Sequence, residues 1–156
     1  MEDGFTWTLL AALAALLVAA AVTDLKKREI PQWVVIAIGV LAVPFWWANG
    51  LAFWPEVVTQ LGVATLIFAF FAAAFAFGWM GGGDVKLLTA LALWLPWKAV
   101  ILMLVIMSFA GGALTLAMVV WSHARRAAQT PEIPYGVAIA FAGLWLISER
   151  FLNQFG

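Results

Sequence analysis

Hydrophobic positions along this chain fall into long runs, set apart by short charged, glycine-rich or proline-containing stretches. The first run, Phe5 to Thr23, has nineteen residues, which at helical rise cover about 28 Å, close to the roughly 30 Å hydrocarbon thickness of a bilayer. It follows Glu2 and Asp3 instead of a basic leader and is too long for a typical signal-peptide core, so it reads as a retained spanning helix. The charged stretch Asp24-Leu25-Lys26-Lys27-Arg28-Glu29 stops it. Ile30-Pro31 then leads into a second span, Gln32 to Ala48, with proline where a first helical turn tolerates it. After Asn49-Gly50 and Phe53-Trp54-Pro55 comes a third span, Val57 to Trp79. Gly81-Gly82-Gly83-Asp84 should break the helix, since glycine supplies backbone freedom and little packing. The next run, Val85 to Leu95, has eleven residues, about 17 Å of helix and short for a full crossing. Ala99 to Trp121 is a fifth span, and Tyr135 to Leu152 a sixth, after a polar loop holding Arg125, Arg126 and Glu132. The pattern predicts an all-α polytopic membrane protein, a single domain over residues 1–156, built as a bundle of about six transmembrane helices with a short fourth helix after a glycine-rich loop.

Composition narrows the function classes. The chain is 66% hydrophobic and 10% charged, with a mean hydropathy of +1.05, so it has too few polar side chains to coat a globule in water and too many apolar ones to stay disordered. Eight basic residues balance eight acidic ones and no basic run is interleaved with aromatics, which sets nucleic-acid binding aside. With no cysteine and one histidine there is no thiolate nucleophile, disulfide, cysteine-ligated zinc or multi-histidine metal site, and no cofactor is expected. Any chemistry must come from carboxylates.

Orientation follows from lysine and arginine in alternate loops. Lys26, Lys27, Arg28, Lys86, Arg125 and Arg126 fall on one side, Lys98 and Arg150 on the other. The first set is therefore expected in the cytoplasm and both termini outside. Trp7, Trp46, Trp47, Trp54, Trp94, Trp97 and Trp145 then gather near the outer interface, as a belt and packing material. His123 is expected to be solvated or to face lipid headgroups, and Met103 and Met107 to pack between helices.

Of three aspartates in the chain, Asp24 and Asp84 sit at ends of apolar segments on the same inferred face. Asp84 is expected below the headgroups, where a carboxylate must face protein or a water-filled cavity. A structural role is open to each: Asp84 as the N-cap of the fourth helix, and Asp24 as a flank balanced by Lys27 and Arg28. Helix-end support should be larger for Asp84 than for Asp24, which lies near the C-terminal part of the first span. Brought together, the two would share a proton, one acting as base and the other as acid, the arrangement that splits a peptide bond with water. Gly81 and Gly83 would permit close backbone approach. Lys86 would either reach a carboxylate or substrate carbonyl, or snorkel to the interface.

These residues carry a resemblance. Asp24-Leu25-Lys26-Lys27-Arg28-Glu29-Ile30-Pro31 resembles the aspartate motif after the first span of type IV prepilin peptidases, and Gly81-Gly82-Gly83-Asp84-Val85-Lys86 resembles their Gly-x-Gly-Asp motif, shared with intramembrane aspartyl proteases. Ile133-Pro134-Tyr135-Gly136-Val137-Ala138 is similar to the proline-led start of the family's last span. The length suits the small branch associated with tight-adherence (Tad) or Flp-type pili. The resemblance implies a bacterial inner-membrane enzyme whose catalytic Asp24 and Asp84 face the cytoplasm and remove a short basic leader, after a glycine, from a prepilin or pseudopilin whose next segment is a hydrophobic helix. Larger members carry a cysteine-rich insertion and methylate the new N-terminus; the short Asp24–Pro31 loop and absent cysteine imply peptidase activity without methyl transfer. A proton-coupled carrier and a non-enzymatic pilus-assembly scaffold are the rival readings.

Overall fold

The computed structural model describes residues 2–124 and 133–154; the loop holding Arg125, Arg126 and Glu132, with its share of the charge count, lies outside the described residues. Six α-helices follow in order: α1 (Glu2–Lys27), α2 (Gln32–Ala48), α3 (Val58–Ala76), α4 (Gly82–Ala92), α5 (Trp97–Ala124) and α6 (Tyr135–Gln154), with a short π-helical turn, Phe53–Val57, leading into α3. No strand occurs among the described residues. Three stretches, Gly4–Lys27, Phe53–Ala76 and Trp97–Trp121, are long and apolar enough to cross a bilayer by length and composition.

Apolar side chains cover both the inside and the outside of the bundle. Leu13, Leu17, Ile38, Leu87, Leu88, Leu91, Met103 and Ile139 are fully enclosed, whereas Val40, Leu66, Phe70 and Phe109 stand almost bare on the outer faces. In water such a surface would aggregate; in lipid it is at home. The outer aromatics divide: Trp47, Trp54 and Trp97 are exposed, as a belt requires, but Trp94 is buried in the core and donates its indole N–H to the Ile38 carbonyl at 2.9 Å. Trp46 likewise donates to Leu93 at 2.7 Å.

Helix α6 lies between α1 and α5, and α4 is wrapped by α2, α3 and α6, while α5 scarcely meets α3. This makes the shortest helix the central one. Its limits differ from the sequence expectation: the glycine run does not stand wholly outside the helix, since Gly81 occupies the N-cap and Gly82 and Gly83 form the first turn. Two α4 carbonyls are met by short-range bonds, Leu93 to Ala90 and Trp94 to Leu91, before Pro96 turns the chain into α5.

Candidate functional site

Along α1, Leu10, Leu13, Leu17 and Ala20 are buried at alternating spacings of three and four, and Asp24 takes the next place in that stripe, only 6% exposed. The same holds on α4, where Asp84, 8% exposed, stands one turn before buried Leu87, Leu88 and Leu91. Both stripes turn toward α6. Gly143 permits the approach, because a Cβ there would come within 2.9 Å of both Leu17 and Leu91.

The local chain explains how the carboxylates come to line one cavity. Arg28 ends α1 in the left-handed region, with φ 56°, and its amide returns to the Asp24 carbonyl at 3.0 Å. A non-glycine residue there costs about 1–2 kcal/mol. In exchange the chain folds back over the helix end, so that Ile30 reaches both Gly83 and Gly136: a Cβ at Gly83 would lie 3.3 Å from the Ile30 Cβ, and one at Gly136 2.9 Å from its Cδ1. The N-cap role open to Asp84 falls to Gly81; Asp84 is in the first turn and bends back, its Oδ2 3.0 Å from where a Gly81 Cβ would sit, facing the Gly81 amide.

Asp24 and Asp84 line one polar cavity of about 310 Å³, together with Arg28, Gln32, Gly81, Gly83 and Lys86. A water molecule occupies about 30 Å³ of liquid, so the space can take both water and a length of peptide. The start of α6 packs against Asp24. The Gly136 and Val137 amides face the Asp24 carboxyl, and a Cβ at Gly136 would stand 2.7 Å from its Oδ2. The expectation that Asp24 has less helix-end support than Asp84 is thus corrected: Asp84 sits in the first turn of α4, and Asp24 meets the N-terminal amides of α6, both positive dipole ends. Even so, the Asp24 Oδ2 is buried with no hydrogen-bond partner. Such an acceptor is costly to leave unmet.

Lys86 reaches neither carboxylate; its Nζ donates to Gln32 Oε1 at 3.0 Å, joining α4 to the first turn of α2. Gln32, the Arg28 turn and the contact of Gly136 with Asp24 were not singled out from the sequence. The only hints were a polar residue after Pro31 and a glycine two places after Pro134. His123 is exposed, its Nδ1 3.1 Å from the Val119 carbonyl, and Met103 and Met107 are buried, as expected.

A second, mainly apolar cavity of about 630 Å³ opens where α5 leaves α3. Small residues line its α5 wall at Ser108, Gly111, Gly112 and Thr115, and it includes Met80 and Tyr135, the chain neighbours of Gly81 and Gly136.

Residues 11–116 match the profile of the type IV leader peptidase family. The chain is 30% identical to a prepilin leader peptidase/N-methyltransferase of Aeromonas hydrophila over 96% of its own length and 54% of that protein's. It is 37% identical to a protein of the same name from Aeromonas salmonicida (strain A449), over 43% of this chain and 22% of the relative. It therefore spans about half, or less, of the length of these curated relatives. No solved structure matches the chain.

Proposed function

Since the chain belongs to the type IV leader peptidase family, we propose that it is a membrane-embedded aspartyl endopeptidase of the bacterial inner membrane, which removes the cytoplasmic leader of Tad/Flp-type prepilins or pseudopilins. The observation that carries this proposal is the convergence of Asp24 and Asp84, sixty residues apart in sequence, on one polar cavity at the same end of the bundle. In the proposed reaction the ionised member of the pair takes a proton from water as its oxygen attacks the scissile carbonyl carbon. The other member gives its proton to the carbonyl oxygen. Collapse of the tetrahedral diol then breaks the C–N bond, and a proton passes to the leaving amine. General acid–base work of this kind contributes roughly 10²–10⁴-fold. The α4 and α6 N-termini help to hold the negative charge, and no cofactor enters the proposed reaction.

The apolar groove between α3 and α5 suits the substrate's hydrophobic helix. Its small residues allow close backbone approach, and its Met80 and Tyr135 end adjoins the two glycines that touch the carboxylates. A helix held there would present its leader junction to the polar cavity. We further propose that methyl transfer is absent, because the Asp24–Pro31 connection is short and the chain has no cysteine; incorporation of label from S-adenosylmethionine into processed pilin by the purified protein would overturn this.

The test is co-expression with a candidate prepilin in cells lacking other prepilin peptidases, comparing wild type with Asp24→Ala and Asp84→Ala. Wild type should remove the leader, and both variants should insert in the membrane and leave precursor uncut. Leader removal by either inserted variant would defeat the proposal. Transport in liposomes abolished by Asp84→Asn, without peptide cleavage by wild type, would favour a proton-coupled carrier.

A further inference from the structure

At the end of the bundle remote from the aspartates, a third cavity of about 370 Å³ is walled by the last turn of α2, the π-helical turn, the start of α3, the α4–α5 turn and Arg150 of α6. Peptide cleavage makes no use of it. Two opposite charges line it, each held by a neutral partner: Arg150 donates from Nη2 to Asn49 Oδ1 at 2.7 Å, with its guanidinium 5.3 Å from the Phe45 ring centre, and Glu56 Oε2 accepts the Ala52 amide at 2.7 Å. A guanidinium carries five N–H donors and a carboxylate two acceptor oxygens, so each retains capacity for a ligand. A further polar wall group is Gln60, 9% exposed, whose Oε1 is enclosed with no donor. An amide oxygen left unmet inside a protein is destabilising, and the terminal torsion of glutamine is soft enough to swing toward a donor that arrives.

We propose that this cavity binds the headgroup of a phospholipid bearing a primary ammonium. The ammonium supplies N–H donors for Glu56 and Gln60, and the phosphate, a short ethanolamine link away, takes the free edge of Arg150. The cavity's paired charges match a zwitterion. A phosphatidylglycerol headgroup brings hydroxyls but no cation to Glu56, and a trimethylated ammonium offers no N–H to Gln60. Trp97 lines the cavity, and exposed Trp47 and Trp54 occupy the same end of the bundle, the level at which indoles meet headgroups. Bound there, the headgroup ties the end of α6 to the α2–α3 connection. The site stands apart from the peptidase reading and does not depend on it.

The test uses the full chain, delipidated in detergent, with its unfolding temperature followed as lipid is added. Phosphatidylethanolamine should raise it at concentrations roughly ten-fold lower than phosphatidylcholine or phosphatidylglycerol, the difference that one charge-assisted hydrogen bond supplies. Gln60→Leu and Glu56→Gln should each erase that preference. Soluble glycerophosphoethanolamine should compete only weakly, which separates a lipid from a free headgroup. Equal stabilisation by all three lipids, or a preference that survives both substitutions, overturns the proposal. Should Gln60→Leu not fold, the exposed Glu56→Gln decides alone.

Discussion

At the carboxylate end of the bundle, helices meet through glycines packed against two acids; at the opposite end they meet through indoles whose N–H groups are paired. Gly136 stands against Asp24 with no room for a further atom, Gly81 stands close against Asp84, and the Asp24 Oδ2 has no partner. At the other end Trp94 lies tilted against Phe45 with ring centres 4.6 Å apart, Trp46 donates to the Leu93 carbonyl just past α4, and Trp94 donates to the Ile38 carbonyl of α2. The first arrangement costs stability, since a buried acceptor goes unmet. The second supplies it, at a distance from the two carboxylates.

The contrast can be broken most directly at the aspartates. Asp24→Asn and Asp84→Asn should each slow leader cleavage by about 10²–10⁴-fold. Their thermal unfolding should not worsen, because a neutral amide of equal size relieves a buried charge. A large drop in unfolding temperature would recast the pair as structural. Gly136→Ala comes next. Its methyl would meet the Asp24 carboxyl, and such overpacking costs about 1–3 kcal/mol, while an ångström-scale shift of a catalytic group can cost about 10²-fold in rate. Gly62→Ala is the control, since nothing lies within 4 Å of its added Cβ; it should leave cleavage unchanged and stabilise by about 0.4–1 kcal/mol.

Smaller effects sharpen the comparison. Gly112→Leu, where the glycine has open space toward the α3–α5 groove, should raise KM for a full prepilin by about ten-fold, the equivalent of roughly 1.4 kcal/mol of lost binding, with kcat preserved. An unchanged KM would remove the groove from substrate binding. Trp94→Phe removes the indole bond to the Ile38 carbonyl and should lower stability by about 0.5–1.5 kcal/mol, yet leave cleavage per folded molecule within two-fold of wild type. If its cleavage fell as far as that of Gly136→Ala, the two ends would not be separable. Lys86→Met loses the exposed bond to Gln32 and should cost about 1 kcal/mol or less, measured by denaturant or heat, with at most a modest loss of cleavage.

Much of the architecture was legible because it depends on run length. Apolar stretches separated by charges, prolines and glycines marked all six helices, with ends that moved by a few residues: α1 continues past Thr23 to Lys27, and α5 begins at Trp97 instead of Ala99. The two aspartates were legible because a carboxylate bordering a long apolar run is conspicuous. The amides at Gly136 and Val137 were not, since a backbone donor has no signature in side-chain pattern. Nor was the inward turn of Trp94, whose indole reads equally as belt or core until a carbonyl is found for it.

What the sequence determined by itself, then, is how many helices form, roughly where they end, and that two acids stand at ends of apolar runs on one side. Which face of each helix looks inward was decided only by the assembled bundle. In water, polar residues mark the outer face; in lipid, the surroundings are as apolar as the core, so helices such as α1 and α3 are hydrophobic all round and carry no such mark. Close packing chose the faces, through Gly143 against Leu17 and Leu91 and Gly136 against Asp24, and that choice is what set the two carboxylates in one cavity.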